Sequence, residues 1–347
     1  MQNPYRRRLL RAALPALAWP ALCRADAGAL APRVLRLAGV LARSTGLDAR
    51  WVAAQLAQAR YQPTVARLIL PGRPMQKNWH VYRSHFVEPS RIDAGVAFAR
   101  RHARWLHRAR RRFGVPPAVL LGILGVETLY GRQMGHFRVL DALTTLSLDY
   151  PAAAVPDRSA FFTAQLGDFL RWCHVASIAP DSVRGSYAGA IGMPQFMPGS
   201  ILRWGVSARG GAAADLVDNA ADAIASIANF LAGHGWIRNV PASFALPPPD
   251  GVDPATLQRL LAPDIVPSFG AGELRAAGLR LPPAALTYPG KLAVVRLPNG
   301  DAPPSYRLGT VNFFVVTRYN HSALYAQAVL DLGAAVENAL RSERLSA

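Results

Sequence analysis

The sequence predicts a mainly α protein with a small irregular or β insert between residues 241 and 310. Three observations carry that reading. Apolar residues recur at helical spacing along most of the chain. Hydrophobic residues make up 51% of its 347 residues, enough for a packed interior. Proline runs (Pro247-Pro248-Pro249, Pro282-Pro283 and Pro303-Pro304) crowd one stretch and punctuate it with turns.

The elements follow in order. From Leu30 to about Leu70 the pattern is helical, with Val34, Leu35, Leu37, Val40 and Leu41 read onto one face. Leu47-Asp48 starts a second helix carrying Trp51, Leu56 and Tyr61. Pro71 to Pro74 is a break. Asp93 to Phe113 reads as one long helix with Val96, Phe98, Trp105, Leu106 and Phe113 inward; its other positions are crowded with Arg100, Arg101, Arg104, Arg108, Arg110, Arg111 and Arg112. Pro116-Pro117 opens the next helix, since proline is tolerated in a first turn. Further helices are expected over Ser159 to Cys173, Asp218 to His234 with Asp218 as the cap, and Ser322 to Leu340. Lys291 to Leu297 reads as a strand.

Composition narrows the function classes. Lys+Arg number 39 against 21 Asp+Glu, a net charge of +18. Two cysteines, Cys23 and Cys173, exclude a disulfide scaffold and a cysteine-based zinc cluster. No internal apolar run approaches the roughly 20 residues that span a bilayer. The amino terminus reads as an export signal over 1–27: Arg6-Arg7-Arg8, an apolar stretch from Ala12 to Cys23, then Ala25-Asp26-Ala27. Its arginines have some likeness to a twin-arginine signal. Removing 1–27 leaves +14, so the charge belongs to the folded protein. Cys23 is preceded by Leu22, with Pro20 three before it, a poor lipidation site; were it lipidated, the protein would sit peripherally at the outer membrane. Cys173 is expected to be buried rather than reactive. The arginine run lacks interleaved aromatics or a known module, so nucleic acid is not expected.

Three segments carry the chemistry. Glu127 follows a stretch, Val115 to Val126, with no charged residue. On a helix the residues three, four and seven before it are Leu124, Ile123 and Leu120, all apolar. A carboxyl so placed is poorly solvated, keeps its proton to higher pH and suits a general acid of glycoside cleavage. The alternative is a helix end that reaches solvent or Arg132. Gly185 to Pro198 combines small residues with the polar Ser186 and Gln195; it allows close approach of a ligand, or tight helix packing. Asn312 to Tyr325 places Tyr319, Asn320 and Tyr325 before a helix, where they suit sugar stacking, or capping and burial.

Together these segments resemble the lytic murein transglycosylase B family, glycoside hydrolase family 103. Gly125-Val126-Glu127-Thr128-Leu129-Tyr130-Gly131 looks like that family's catalytic segment. Trp79 to Arg91, Asp141 to Leu146, Gly185 to Pro198, Asp222 to Trp236 and Asn312 to Tyr325 follow it in order, over roughly residues 30 to 340. The resemblance implies a lysozyme-like catalytic core with an additional helical lobe. The implied layout is a helical lobe plus core over 28–240, a small proline-rich lobe over 241–310, and a segment, 311–347, returning to the core. It implies cleavage of the β-1,4 bond between N-acetylmuramic acid and N-acetylglucosamine of peptidoglycan, leaving 1,6-anhydro ends. Glu127 matches the acid/base. Ser186, Gln195, Tyr319, Asn320 and Tyr325 match residues lining the site, and Arg158 matches one of a pair of arginines. A hydrolytic muramidase and a non-catalytic wall-binding protein are the alternatives. Family members often carry a calcium loop; here Val206 to Asp215 lacks its carboxylates and contains Arg209, so no calcium and no other cofactor is expected. The expected protein is a periplasmic monomer acting on peptidoglycan glycan strands.

Overall fold

The structure, a computed structural model, describes residues 22–70, 77–211 and 213–346. Residues 1–21 of the expected export signal over 1–27, the side chains of its remainder including Cys23, and the break at Pro71 to Pro74 lie outside the described residues.

The chain begins with α1 (Leu22–Thr45) and α2 (Ala49–Leu56). Leu37, Ala38 and Leu41 of α1 are buried, while Leu35 and Val40, expected beside them, are exposed. The inward set runs 34, 37, 38, 41, the three-and-four spacing of one helix face, and Leu35 and Val40 fall off it. Asp48 caps α2 by accepting from the Trp51 N–H at 2.8 Å. That helix ends at Leu56, so Tyr61 lies beyond it. The backbone leaves the helix because the N–H groups of Arg60 and Gln62 donate instead to buried Asp141 (3.0 Å) and to Thr145 (3.1 Å). Pro63 then opens α3 (Pro63–Leu68), and α4 (Trp79–Ser84) follows.

The expected single helix over 93–113 is two, α5 (Pro89–Arg101) and α6 (Ala103–Phe113), which turn at His102 (φ −114°, ψ 18°). The imidazole packs on Phe98 at 4.5 Å. The turn lets Phe98 on one side and Leu106 and Ala109 on the other all reach the core, with the arginines outside. Next come α7 (Pro117–Thr128), a two-residue strand β1 (Phe137–Arg138), α8 (Val139–Leu148) and α9 (Ser159–Ala176). Cys173 of α9 is buried, and burial pushes its thiol up to about 12. Then β2 (Arg184–Gly185) pairs antiparallel with β1, before α10 (Pro198–Trp204) and α11 (Ala220–Gly233). The cap of α11 is Asn219, whose side-chain oxygen accepts from the Ala221 N–H at 3.1 Å. Asp218 does not cap it; its own N–H donates to Asp215 Oδ1 at 2.9 Å.

Residues 243–309 surround a second, smaller apolar core containing Leu246, Leu260, Leu274, Leu292, Val294 and Leu308. Here β3 (Ser243–Leu246), α12 (Pro254–Leu261), α13 (Ala271–Ala276), α14 (Pro283–Leu286), β4 (Ala293–Asn299) and β5 (Ala302–Gly309) build an antiparallel sheet in the order β3-β5-β4. The prolines act as helix openers at Pro254 and Pro283. Buried Asn312 then fastens the return to the main core. Its amide donates to the carbonyls of Ile237 (2.8 Å) and Val240 (2.7 Å) and accepts from the Ile237 N–H at 2.8 Å. The chain closes with α15 (Val311–Thr317) and α16 (Ala323–Ser346). Among the described residues no helix is long and apolar enough to cross a membrane.

The contact that positions the site is α7 against α16, with the two helices antiparallel. Gly333 faces the Ala118 carbonyl and Gly122 faces the Val329 carbonyl; a Cβ added at either glycine would sit 2.1 Å or 2.0 Å from that oxygen. Glycine is required at both points, because any side chain would force the helices apart. Gly122→Ala is therefore expected to cost about 1–3 kcal/mol through overpacking. Urea denaturation should show the lower midpoint with an unchanged slope.

Candidate active site

α7 is apolar almost all round and ends one residue after Glu127. Leu120, Ile123 and Leu124, the residues one and two turns earlier, are fully buried. The antiparallel register with α16 continues past Gly122 and Val329, so that Tyr325 at the start of α16 meets Glu127. The buried phenol donates to Glu127 Oε1 at 2.5 Å. Glu127 does not reach Arg132 as its partner. It keeps intermediate exposure, yet protein surrounds the carboxyl closely. Burial raises its pKa from 4.5 to about 7; the Tyr325 hydrogen bond opposes that rise and is the smaller effect.

The chain leaves α7 through three left-handed residues, Leu129 (φ 49°), Tyr130 (57°) and Gly131 (90°). Such conformations are costly for the two non-glycine residues. Thr128 offsets this by donating from its hydroxyl to the Met193 carbonyl at 2.9 Å and accepting from the Gly131 N–H at 3.0 Å. The Met193 bond ties the end of α7 to the glycine segment. The segment is a loop rather than a packed helix. Gly185 and Gly135 approach each other's strands so closely that a Cβ at Gly135 would lie 2.2 Å from the Gly185 carbonyl oxygen.

Gln195, itself left-handed at φ 50°, sits in this loop beside the turn after α7. Its amide donates to the carbonyls of Gly192 (2.9 Å) and Met134 (3.1 Å). Ser186 Oγ accepts from the Ala190 N–H at 3.0 Å and the Ala188 N–H at 3.3 Å, which leaves its own hydrogen to donate. Tyr319 is tied to the loop by a 2.8 Å hydrogen bond from its hydroxyl to the Pro194 carbonyl. Its ring lies parallel to that of Tyr325, with centroids 6.3 Å apart. Burial, then the Glu127 charge, raises both phenols well above their ordinary values. Asn320 is exposed at the turn between α15 and α16. Arg158 stands elsewhere, at the start of α9, with its guanidinium 4.5 Å from the Phe161 ring; none of its described contacts reaches the Glu127 group.

Sequence reasoning passed over Tyr82. This half-buried residue of α4 has its phenol raised by burial and then by the Glu127 charge, which places it at the same site. Its only signal was membership of the Trp79 to Arg91 segment. Among the described residues, the groups that the Glu127 charge raises are three tyrosines, Tyr82, Tyr319 and Tyr325.

The sequence profile of the Transglycosylase SLT domain matches residues 33–334. This chain belongs to that transglycosylase family. It is 35% identical over 304 residues to membrane-bound lytic murein transglycosylase B of Escherichia coli, covering 84% of this chain and 79% of the relative. Among solved structures it resembles the soluble lytic transglycosylase SltB1 from Pseudomonas aeruginosa (TM-score 0.79, 33% identity, 89% of this chain and 99% of that one). It also resembles the Escherichia coli lytic transglycosylase Slt35 in complex with bulgecin A (TM-score 0.77, 34% identity, 89% and 94%). Lytic transglycosylases of this shape have the mainly α, lysozyme-like fold found here.

Slt35 has also been solved in complex with calcium. The loop before α11 of the present transglycosylase does not offer a calcium donor set. Both oxygens of buried Asp222 accept backbone N–H groups, from Ala208 and Asp215, each at 2.9 Å. Asp215 Oδ1 accepts those of Val217 and Asp218 at 3.0 and 2.9 Å. No group of three potential metal-ligating side chains exists among the described residues. The loop is organised by these carboxylate-to-backbone hydrogen bonds.

The raised pKa of Glu127 has a measurable consequence. Unfolded, the residue ionises near 4.5; folded, it holds its proton to about 7. Between those values the folded state binds the extra proton, so this residue makes stability fall as pH rises. Glu127→Gln removes that slope. Its melting temperature should match the wild type near pH 4 and exceed it increasingly toward pH 8, as read by thermal melts across the range.

Proposed function

We propose that the protein cleaves the β-1,4 bond between N-acetylmuramic acid and N-acetylglucosamine in peptidoglycan as a lytic transglycosylase, with Glu127 as its one acid/base. The observation that carries this reading is a protonated carboxyl raised to about 7, ringed by tyrosines rather than paired with a second carboxylate. Ordinary glycosidases need two carboxyl groups, one acid and one base or nucleophile. A single one suffices when the substrate provides the nucleophile. The relatives' names and the SltB3 structure in complex with NAG-anhNAM-pentapeptide support that substrate class (26% identity, TM-score 0.75).

In the first step Glu127 gives its proton to the glycosidic oxygen as the C1–O bond breaks. The neighbouring N-acetyl group stabilises the positive charge left on C1. Glu127, now a carboxylate held by the Tyr325 hydroxyl, takes the proton from the muramoyl O6 hydroxyl. O6 then bonds C1, closing the 1,6-anhydro ring, and Glu127 is again protonated. No water is consumed. Holding the nucleophile in the same sugar lowers the entropic barrier. Tyr319 and Tyr325 offer ring surface to the sugar, and Ser186, Gln195 and Asn320 offer polar contacts. A peptide-contacting role for Arg158 stands further from this group. The setting we infer is the periplasm, where the protein works as a monomer on glycan strands, without nucleic acid and without a lipid at Cys23.

The decisive measurement is the mass of products from purified sacculi. Transglycosylation releases muropeptides lighter by one water than those of a hydrolytic muramidase, and Glu127→Gln should cut release by about 10³-fold or more. Full-mass products would establish a muramidase, and undiminished release by Glu127→Gln would remove the acid/base assignment.

We further propose that no cation is needed. Calcium addition and chelator treatment should leave the melting temperature and the rate of sacculus digestion unchanged. A chelator-induced drop reversed by calcium would show a bound ion after all.

A further inference from the structure

A concentration of positive charge lies beside the catalytic loop rather than in it. Trp105, on α6, has three guanidinium groups close to its ring: Arg104 at 4.8 Å, and Arg108 and Arg209 at 5.6 Å. Arg209 arrives from the loop before α11, the loop that does not offer calcium ligands. Among the described residues the ion pairs occupy Arg83, Arg91, Arg100, Arg138, Arg171, Arg341 and Lys291. Arg101, Arg104, Arg108 and Arg209 take part in none of them. Like charges gathered on one ring repel, and the indole face compensates them only in part. The arrangement favours an anion.

A cavity of about 370 Å³ opens where these groups meet. Arg101, His102, Trp105 and Arg209 line one part of it, and Asp218 and Asn219 another. Its floor includes Tyr130 and Met193. Those two belong to the turn after Glu127 and to the loop that accepts the Thr128 hydrogen bond, so the cavity adjoins the catalytic segment. Asp218 is the sole acidic side chain on its wall, against two arginines.

We propose that this cavity is an anion subsite for a carboxylate of the peptide stem carried by the glycan strand, with Arg101 and Arg209 as its ion partners and Trp105 as the platform of Arg209. The proposal rests on the transglycosylase reading and assigns the substrate's peptide a place in it. A planar guanidinium pairs with a carboxylate through two parallel hydrogen bonds, and Arg209, steadied against the indole, loses less freedom in doing so. The group bound is a carboxylate, and the strand has two sources of it: the stem peptide and, only where the peptide has been removed, the lactyl arm of the muramic acid.

The test compares three soluble glycan-strand substrates: native strands, strands whose carboxyls have been amidated, and strands stripped of peptide by an amidase. The wild type should cleave native strands with kcat/KM about tenfold above the amidated and stripped ones, the scale of one charge-assisted contact. The double variant Arg101→Gln/Arg209→Gln should lose that preference, mainly through a higher KM on native strands. Arg209→Gln alone, on an exposed loop, should lose part of it and keep the wild-type melting temperature. A wild type that does not discriminate, or a double variant that still does, would overturn the subsite. Stripped strands cleaved like native ones would move the carboxylate to the lactyl arm and overturn the peptide assignment. A wild type that cuts none of the three would instead count against the transglycosylase reading itself.

Discussion

A carboxyl group that must be buried and still meet its substrate constrains everything around Glu127. Burial raises its pKa, and burial requires a neighbour that comes very close without bringing charge. Here that neighbour is α16. The antiparallel pairing steps along α7 from Ala118 opposite Gly333, through Gly122 opposite Val329, to Glu127 opposite Tyr325. The two glycines lower helix propensity, at a cost of roughly 1 kcal/mol each. They are tolerated because the contact they permit delivers the phenol to the carboxyl. Stability of the helix pair and protonation of the acid are therefore set by the same interface.

The loops extend that logic. Gln195, Leu129 and Tyr130 hold left-handed conformations that non-glycine residues rarely adopt. They are held by side chains that bond to backbone carbonyls: Thr128 to Met193, Gln195 to Gly192 and Met134, Tyr319 to Pro194. A carbonyl oxygen fixed in a turn is a better reference point than another mobile side chain. All of these bonds except Gln195 to Gly192 join segments far apart in sequence, so the turn after α7, the glycine loop and the turn before α16 are tied together around the acid. The same sewing brings Tyr130 and Met193 to the floor of the arginine-lined cavity, which couples that surface to the catalytic turn.

Much of this was legible in the sequence, because helical periodicity and proline placement are local signals. The charge-free run before Glu127 marked the acid, and the glycine segment marked a close approach. What escaped was set by tertiary partners. The break at His102 depends on both halves of an arginine-rich helix wrapping one core. Tyr61 leaves α2 because Asp141 and Thr145, some eighty positions later, capture the backbone of Arg60 and Gln62. Asn219 rather than Asp218 caps α11 because its side-chain oxygen is the one that meets the Ala221 N–H. Tyr82 carried no local mark at all; only the fold brings α4 to the acid. Arg158 shows the opposite case, since its sequence match did not reveal that it would lie on Phe161.

On the proposed reading, the tyrosines explain how one carboxyl would serve as both acid and base. A second carboxylate beside Glu127 would hold the first protonated through repulsion and hinder its giving up that proton as the acid. Phenols do neither. Burial and the Glu127 charge raise Tyr319 and Tyr325 further above their ordinary values, so they stay neutral and do not give up a proton in place of the acid. Tyr325 remains a donor throughout, and its bond strengthens when Glu127 becomes an anion. The opposing effects of burial and this hydrogen bond leave the carboxyl at about 7, where both protonation states are accessible at neutral pH. A site built this way needs no bound water as nucleophile and no second acid, provided the sugar brings its own hydroxyl.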